Sequence, residues 1–566
     1  MGAVHWTGQP FIDAGLAALA AAARLQRLDQ LTVAHLDTAC QALERVMLSD
    51  EALGVDLERS FARGPLSQVF PNSELVNPSN WKNGAEGVRA KYRQALQEDL
   101  QRAKKSLLLD GTRRCIGCGA YRAAETFMTL RRDRFPLLSG TVNFYPSLAY
   151  GVDLCGLCVL ALRFLPLSLL RAGDRGRIWF LHCQELKVAG VIAQEYGWRH
   201  ISAAIAAGEP VDFYGEWRTA GNTGAVARLL FRLLDQFGAQ LRSVYERRIP
   251  AIAYLFSNDL RSGYIEVLPI PTDVLEFIAS LYQESPSAFK QFEHELLDFP
   301  PGLDRRAATA REGFIRSVSR QFLRAESIIG MCLAMDGEQS PRLLGGWLGH
   351  RLYLLEVLRM PAGTLAVLER LGIDLAQHED AKKWVGRLER ARPNELRAIL
   401  LDLVRARLLS ARELAAIVPP NEPSAAGVAR DILLAVAYEW QRSANEGRLF
   451  PRLADSVESL PKPETVIEEL AVLARRLSEG LRNRSAWIAD LSTARSLAQL
   501  RGAYLRAVRQ GVLTARDFLF LVPFTEPWKA WALRDYLLAF LFENVGAELP
   551  AELEILEGEE VVTTEG

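Results

Sequence analysis

A chain of 566 residues exceeds what one hydrophobic core supports, so roughly two to four domains are expected. Its ordinary composition and formal net charge of −1 exclude a uniformly basic coat, although local clusters of Lys and Arg stay compatible with nucleic acid. Seven cysteines are too few for a disulfide-dense secreted scaffold and point to a reducing cytoplasm.

In chain order, residues 11–48 read as two Ala- and Leu-rich helices split near Asp29. The run "AGLAALAAAARL" imitates a signal-peptide core, but no Lys or Arg precedes it and Asp13 stands at its edge. Residues 64–84, "GPLSQVFPNSELVNPSNWKNG", read as loop, and residues 85–109 as a charged amphipathic helix. The apolar run "CVLALRFLPLSLL" is broken by Arg163 and Pro166 before the ~18 residues a membrane span needs. "GRIWFLHC" (176–183) predicts a buried strand, and residues 252–270 predict a hairpin turning between Ser257 and Gly263. Beyond Pro271 the pattern is nearly all helical, and no fixed-period repeat is evident.

These elements predict an α+β fold: a mixed N-terminal region followed by a C-terminal helical bundle. "VPPNEPSAAG" (418–427) is the best boundary, giving an N-terminal domain of residues 1–420, a bundle of residues 421–549 and an acidic tail of residues 550–566.

Four of the seven cysteines form two matched pairs, Cys115 with Cys118 and Cys155 with Cys158. Two Cys-x-x-Cys turns supply the four thiolates a tetrahedral ion needs, so they predict a structural zinc site within an inserted finger of about residues 111–160. Iron accepts the same all-sulfur geometry and is the main competitor; two disulfides or a redox motif account less well for the second pair. A closed four-thiolate site leaves no position for substrate, and no catalytic motif occurs elsewhere, so the chain is not expected to be an enzyme. Cys40, Cys183 and Cys332 read as buried small apolar residues, and His182 as a structural histidine.

Between the pairs, Arg131, Arg132 and Arg134 are interleaved with Phe135, Phe144, Tyr145 and Tyr150, while Arg113 and Arg114 precede the first pair. Basic groups for phosphate beside flat rings for bases suit a nucleic-acid surface. Lys82 and Asn83 in the Asn-rich loop could add contacts, with Trp81 as a stacking ring, although Asn more often supports turns. From Leu470 onward, Arg475, Arg482, Arg484, Arg501 and Arg509 belong to an arginine-rich stretch whose acids are Glu479 and Asp490. Arg475 and Arg482, one heptad apart, are expected on one helix face, as are Arg506 and Arg509.

The chain resembles the large subunit of a type I CRISPR surveillance complex, or Cascade, of the type I-B sort with a four-cysteine finger. The resemblance rests on "WTGQPFIDAGLAAL" (6–19), the cysteine quartet with "NFYP" (143–146), "YLFSNDLRSGYIEVLPIPTDVLEFI" (254–278) and "LVPFTEPWKAWALRDYLL" (521–538). It implies a non-catalytic subunit that recognises the protospacer-adjacent motif in target double-stranded DNA, stabilises the R-loop by holding the displaced single strand, and recruits the helicase-nuclease. The implied partners are guide RNA and the backbone and 5'-handle-binding Cascade subunits. The bundle resembles the small subunit, which related systems make by internal translation. No methionine follows Met360, so a separate product here would need a non-Met start, for instance at Val418 or Val428. A zinc-containing scaffold for protein or RNA, outside any CRISPR system, is the alternative.

Overall fold

The computed structural model describes residues 4–130, 134–136, 151–172, 177–215, 221–258, 264–300, 302–334, 341–392, 395–420, 422, 425–450 and 464–545. The chain forms two compact units, residues 1–326 and 327–566. The boundary read at residue 420 therefore falls inside the second unit.

The first unit carries helices α1 (Pro10–Ala22), α2 (Val33–Met47), α3 (Asp50–Leu53), α4 (Gly84–Leu108), α5 (Gly156–Phe164), α6 (Leu186–Val191), α7 (His200–Ala207), α8 (Gly221–Glu246), α9 (Thr272–Glu284), α10 (Pro286–Leu297) and α11 (Arg305–Phe322). Its strands are β1 (Arg113–Arg114), β2 (Tyr121–Arg122), β3 (Phe127–Leu130), β4 (Val152–Cys155), β5 (Leu170–Ala172), β6 (Arg177–Cys183), β7 (Ala251–Ser257) and β8 (Tyr264–Ile270). Strands β5 to β8 make one antiparallel sheet in sequence order, so the predicted buried strand and hairpin both form. The sheet packs on α1 through Phe11, whose ring meets Phe180 and Phe256 with centroids 5.3 and 5.1 Å away. A second aromatic core gathers Phe231, Phe277, Phe289, Phe292 and Phe322 from α8 to α11.

The signal-like segment is α1, a core helix. Its entry is fixed by Asp13, whose carboxylate is 1% exposed. Asp13 accepts from the Thr7 amide and hydroxyl (2.7 Å each) and the Gly8 amide (3.0 Å), and His182 Nε2 lies 2.9 Å away. The Thr-Gly and Asp of the opening motif are thus a closed cap, and the reading of His182 as structural agrees with this pairing. Gly15 lets α1 cross α5 at backbone contact: a Cβ there would lie 2.0 Å from the Ala161 carbonyl oxygen.

Among the described residues, the second unit is helical apart from the short pair β9 (Leu333–Ala334) and β10 (Arg342–Leu343). Its helices are α12 (Ile329–Cys332), α13 (Trp347–Glu356), α14 (Ala362–Gln377), α15 (Ala381–Arg390), α16 (Leu396–Arg405), α17 (Ala411–Ile417), α18 (Ala425–Asn445), α19 (Thr465–Gly480), α20 (Arg484–Ser492), α21 (Leu497–Arg509), α22 (Ala515–Leu521) and α23 (Lys529–Val545).

This order corrects the reading that the chain holds no repeat. Helices α14–α18 are repeated by α19–α23. "ARELAAIVPPNEPSAAGVARDILLAVAYE" (411–439) aligns without a gap on "ARDFLFLVPFTEPWKAWALRDYLLAFLFE" (515–543), and "LAVLER" (365–370) matches "LAVLAR" (470–475). The details recur in space. Ser410 and Glu413 form a reciprocal cap at α17, as Thr514 and Asp517 do at α22. Arg430 pairs with Asp431 and donates to the Ala391 carbonyl at 2.7 Å; Arg534 pairs with Asp535 and donates to the Ala494 carbonyl at 3.2 Å. Arg407 and Gly511, at the same step of the two copies, both take positive φ (61° and 73°). The "VPPNEPSAAG" segment therefore falls between α17 and the start of α18 within the first repeat, matched by "VPFTEPWKAW" in the second, and not at the boundary between the two units.

Candidate metal centre

The first cysteine pair sits on the tight connection between β1 and β2, and the second spans the end of β4 and the first turn of α5. Backbone bonds from the Cys115 amide to the Ala120 carbonyl and from the Gly119 amide to the Cys115 carbonyl, 2.9 Å each, close the first knuckle. Gly119 takes φ of +71°, which lets the chain reverse around the sulfurs without a Cβ penalty. Pairing of β3 with β4 sets Phe127 opposite Cys155 and carries the second pair to the first. Cys155 is the N-cap of α5 and Cys158 lies in its first turn, where the helix dipole favours a thiolate.

All four Sγ atoms lie within 4.8 Å of one another, with Cys115–Cys158 and Cys118–Cys155 at 3.8 Å. A tetrahedral ion bonded to sulfur at about 2.3 Å holds its sulfurs about 3.8 Å apart, so the cluster fits an ion of that size. Disulfides do not form, since all seven cysteines are free. The Cys155 amide donates to Cys115 Sγ at 3.2 Å, and the Gly156 amide to Ser106 Oγ at 3.0 Å, which ties the knuckle to α4. Four clustered thiols, three of them buried, cannot all ionise unaided. Hydrogen bonds from Cys118, Cys155 and Cys158 lower the pKa of Cys115, while the same sharing pushes Cys158 well up. A dication would release those protons.

The finger is not a free-standing insertion. Its second knuckle opens α5, a core helix packed on α1 and α4. Five residues past Cys158 the same helix carries Arg163, whose side chain is 10% exposed and bonds Asp99 Oδ2 at 2.6 Å and Glu74 at 3.3 Å. Arg102 reaches Asp99 at 2.9 Å, and Arg134 pairs with Glu74 and lies 4.0 Å from Asp99. Burial works against the Glu74 carboxylate, yet Arg163 and Arg134 hold its pKa below the usual range. This network locks the loop before α4 against the metal-bearing helix.

The residues read as nucleic-acid contacts are scattered. Lys82 and Asn83 are exposed at the start of α4, and Arg114 is exposed on the first knuckle. Arg113 pairs with Asp153 at 2.6 Å and covers the Phe127 ring, while Arg134 is engaged in the buried network just described. Phe135 is core, edge-on to Phe11. Arg131 and Arg132, with Phe144, Tyr145, Tyr150 and the "NFYP" run, lie outside the described residues. Trp81 is held by its own loop, its Nε1 donating to the Leu75 carbonyl at 2.9 Å under the Arg63 guanidinium. Asn77 and Asn80 support turns, as Asn commonly does.

In the second unit, Arg475 is exposed on α19, but that helix ends at Gly480 and Arg482 falls on the link to α20. The expected common face of Arg475 and Arg482 therefore does not form. Arg484 donates to the Ser478 carbonyl, and Arg501 leans over the Phe524 ring. Arg506 and Arg509 do share α21, with Arg506 bonded to Asp490 and Arg509 exposed.

Among the described residues, no helix is long and apolar enough to cross a membrane. Compared with family models, curated proteins and solved structures, the chain matches none.

Proposed function

We propose that the chain is the non-catalytic large subunit of an RNA-guided DNA surveillance complex, with structural zinc on Cys115, Cys118, Cys155 and Cys158. In this reading it recognises a short motif in duplex DNA, holds the opened duplex and recruits a helicase-nuclease, while guide pairing reads the remaining sequence. The observation that carries it is the metal-fitted knuckle, which presents Arg114 on a rigid hairpin opposite Tyr121. Lys82 and Asn83 stand at the other end of α4, a helix of 25 residues. That is about 37 Å of helix, close to one turn of duplex, so the two ends suit phosphates about a turn apart.

The test is purification of the tagged chain with the products of its neighbouring genes, followed by sequencing of bound RNA. Uniform short RNAs with a repeated flank, and duplex binding that weakens steeply with salt, are expected. Lys82→Ala and Arg114→Ala should each reduce the salt slope by about one. Recovery of neither RNA nor a stoichiometric partner would defeat the reading.

A second reading, a zinc-containing scaffold that binds protein or RNA outside a CRISPR system, is favoured by one observation: an uncovered apolar face in the second unit.

A further inference from the structure

The two repeats of the second unit are equivalent in sequence and unequal in exposure. In the first repeat, α16 and α17 are covered by α23 of the second. The Tyr536 hydroxyl of α23 donates to the Val418 carbonyl, its ring lies beside Arg397, and Glu543 accepts from the Ala411 amide at the start of α17 (2.6 Å). Arg412 pairs across the same seam with Glu468 of α19 at 3.2 Å.

Among the described residues, the matching face of the second repeat has no such cover. Leu401 and Ala415 are 4% and 8% exposed, whereas their counterparts Leu505 and Leu519 are 41% and 48% exposed. Pro420 is buried, and its counterpart Phe524 is 68% exposed. The polar partners are missing too. Among the described residues, Arg516, the counterpart of Arg412, has no ion pair, and the Ala515 amide, the counterpart of that of Ala411, meets no carboxylate. Stacked repeats bury a continuous core only when each face is covered, and a terminal repeat ordinarily carries a polar outer face. The second repeat, the last among the described residues, instead presents exposed aliphatic side chains.

We infer that the α21–α22 face of the second repeat is the docking site of a separate helical protein. That partner seats a helix there as α23 seats on α16 and α17, with a carboxylate near the helix C-terminus for the Ala515 amide, as Glu543 serves that of Ala411, and a second carboxylate, in the place of Glu468, for Arg516. The argument is continuity: the same surface, one repeat earlier, is already a helix-binding interface of known geometry. Among the described residues, a second copy of this chain has no spare helix of this type. Its α23 covers its own first repeat, and its α18 is packed under α12, α13 and β9–β10. The exposed aliphatic residues and the helical precedent favour protein over nucleic acid. The inference stands on the repeat and is independent of the proposed function.

The test uses the full-length protein and a labelled peptide of residues 425–445, the natural counterpart of α23. Saturable binding by fluorescence anisotropy is expected, with a scrambled peptide inactive. Leu505→Glu and Phe524→Glu each weaken it at least about tenfold, and Arg516→Glu or a Glu439→Gln peptide weakens it less. The altered side chains are exposed, so melting temperature and metal content stay unchanged, which separates lost docking from lost folding. Absence of saturable binding, or equal binding by Leu505→Glu or by the scrambled peptide, overturns the inference. Self-association abolished by Leu505→Glu would make the occupant a second copy, and single-stranded DNA binding abolished by it would make this a nucleic-acid surface. Either result overturns it as well.

Discussion

His350 offers a test of the second unit that needs no partner. Its ring is 1% exposed, and Nε2 lies 2.7 Å from the Leu344 carbonyl oxygen. Burial disfavours the imidazolium, against the pull of that carbonyl, and brings the pKa down from 6.5 to about 4. The unfolded chain therefore binds the proton first as pH falls, and the folded unit is destabilised through the window from 6.5 down to 4. Above pH 6.5 neither state is protonated and the effect vanishes. At about 1.4 kcal/mol per pH unit, the window is worth about 3 kcal/mol at its acid end. His350→Gln keeps a donor for Leu344 and cannot titrate. The assay is urea unfolding of the full chain from pH 4 to 8, following the transition of the second unit for both proteins. Their difference should be flat above pH 7 and should favour the variant progressively below pH 6.5. A difference independent of pH, or one that grows toward alkaline pH, would refute the account.

Other outcomes follow from the same physics. X-ray absorption of the purified protein should show one metal per chain with four sulfur neighbours at about 2.3 Å, and its edge energy separates zinc from iron. Chelation should loosen the knuckle and raise hydrogen exchange in β1–β4, whereas Cys183→Ser should leave metal content unchanged. Asp13→Ala removes the acceptor of three donors and the partner of His182 in a buried site, so it should cost about 3–4 kcal/mol in the first unit while metal stays bound. Glu293 has its carboxyl pKa raised from 4.5 to about 7 by burial, against the attraction of Arg232 and Arg228. The folded state holds that proton longer, so stability falls as pH rises from 4.5 to 7. Glu293→Gln should then stabilise the first unit by about 2–3 kcal/mol at pH 8 and by little at pH 4, read from urea midpoints.

The sequence by itself determined the features that depend on short spacing. Two Cys-x-x-Cys turns name the four sulfurs because ligand chemistry demands that residue type at that interval. Alternating and 3.6-residue apolar patterns likewise name the β7–β8 hairpin and the helical second half, since each period fixes which side chains face inward. Tertiary structure alone decided what each charged residue touches. Arg134 reads as a cation of a basic finger and Arg163 as a charge that breaks an apolar run, but chain segments distant in sequence bring Glu74 and Asp99 to them, and desolvation favours the pairing. Asp13 and Thr7 read as a family motif, and packing against β6 turned them into a cap. The repeat was present in the residues, yet its two copies keep mainly the cap, turn and core positions and diverge elsewhere, so periodicity alone did not expose it. The contrast between Leu401 and Leu505 lay beyond any reading of sequence. Both are leucines on equivalent helix positions, and their burial differs because α23 packs on α16 while, among the described residues, α21 has no equivalent cover.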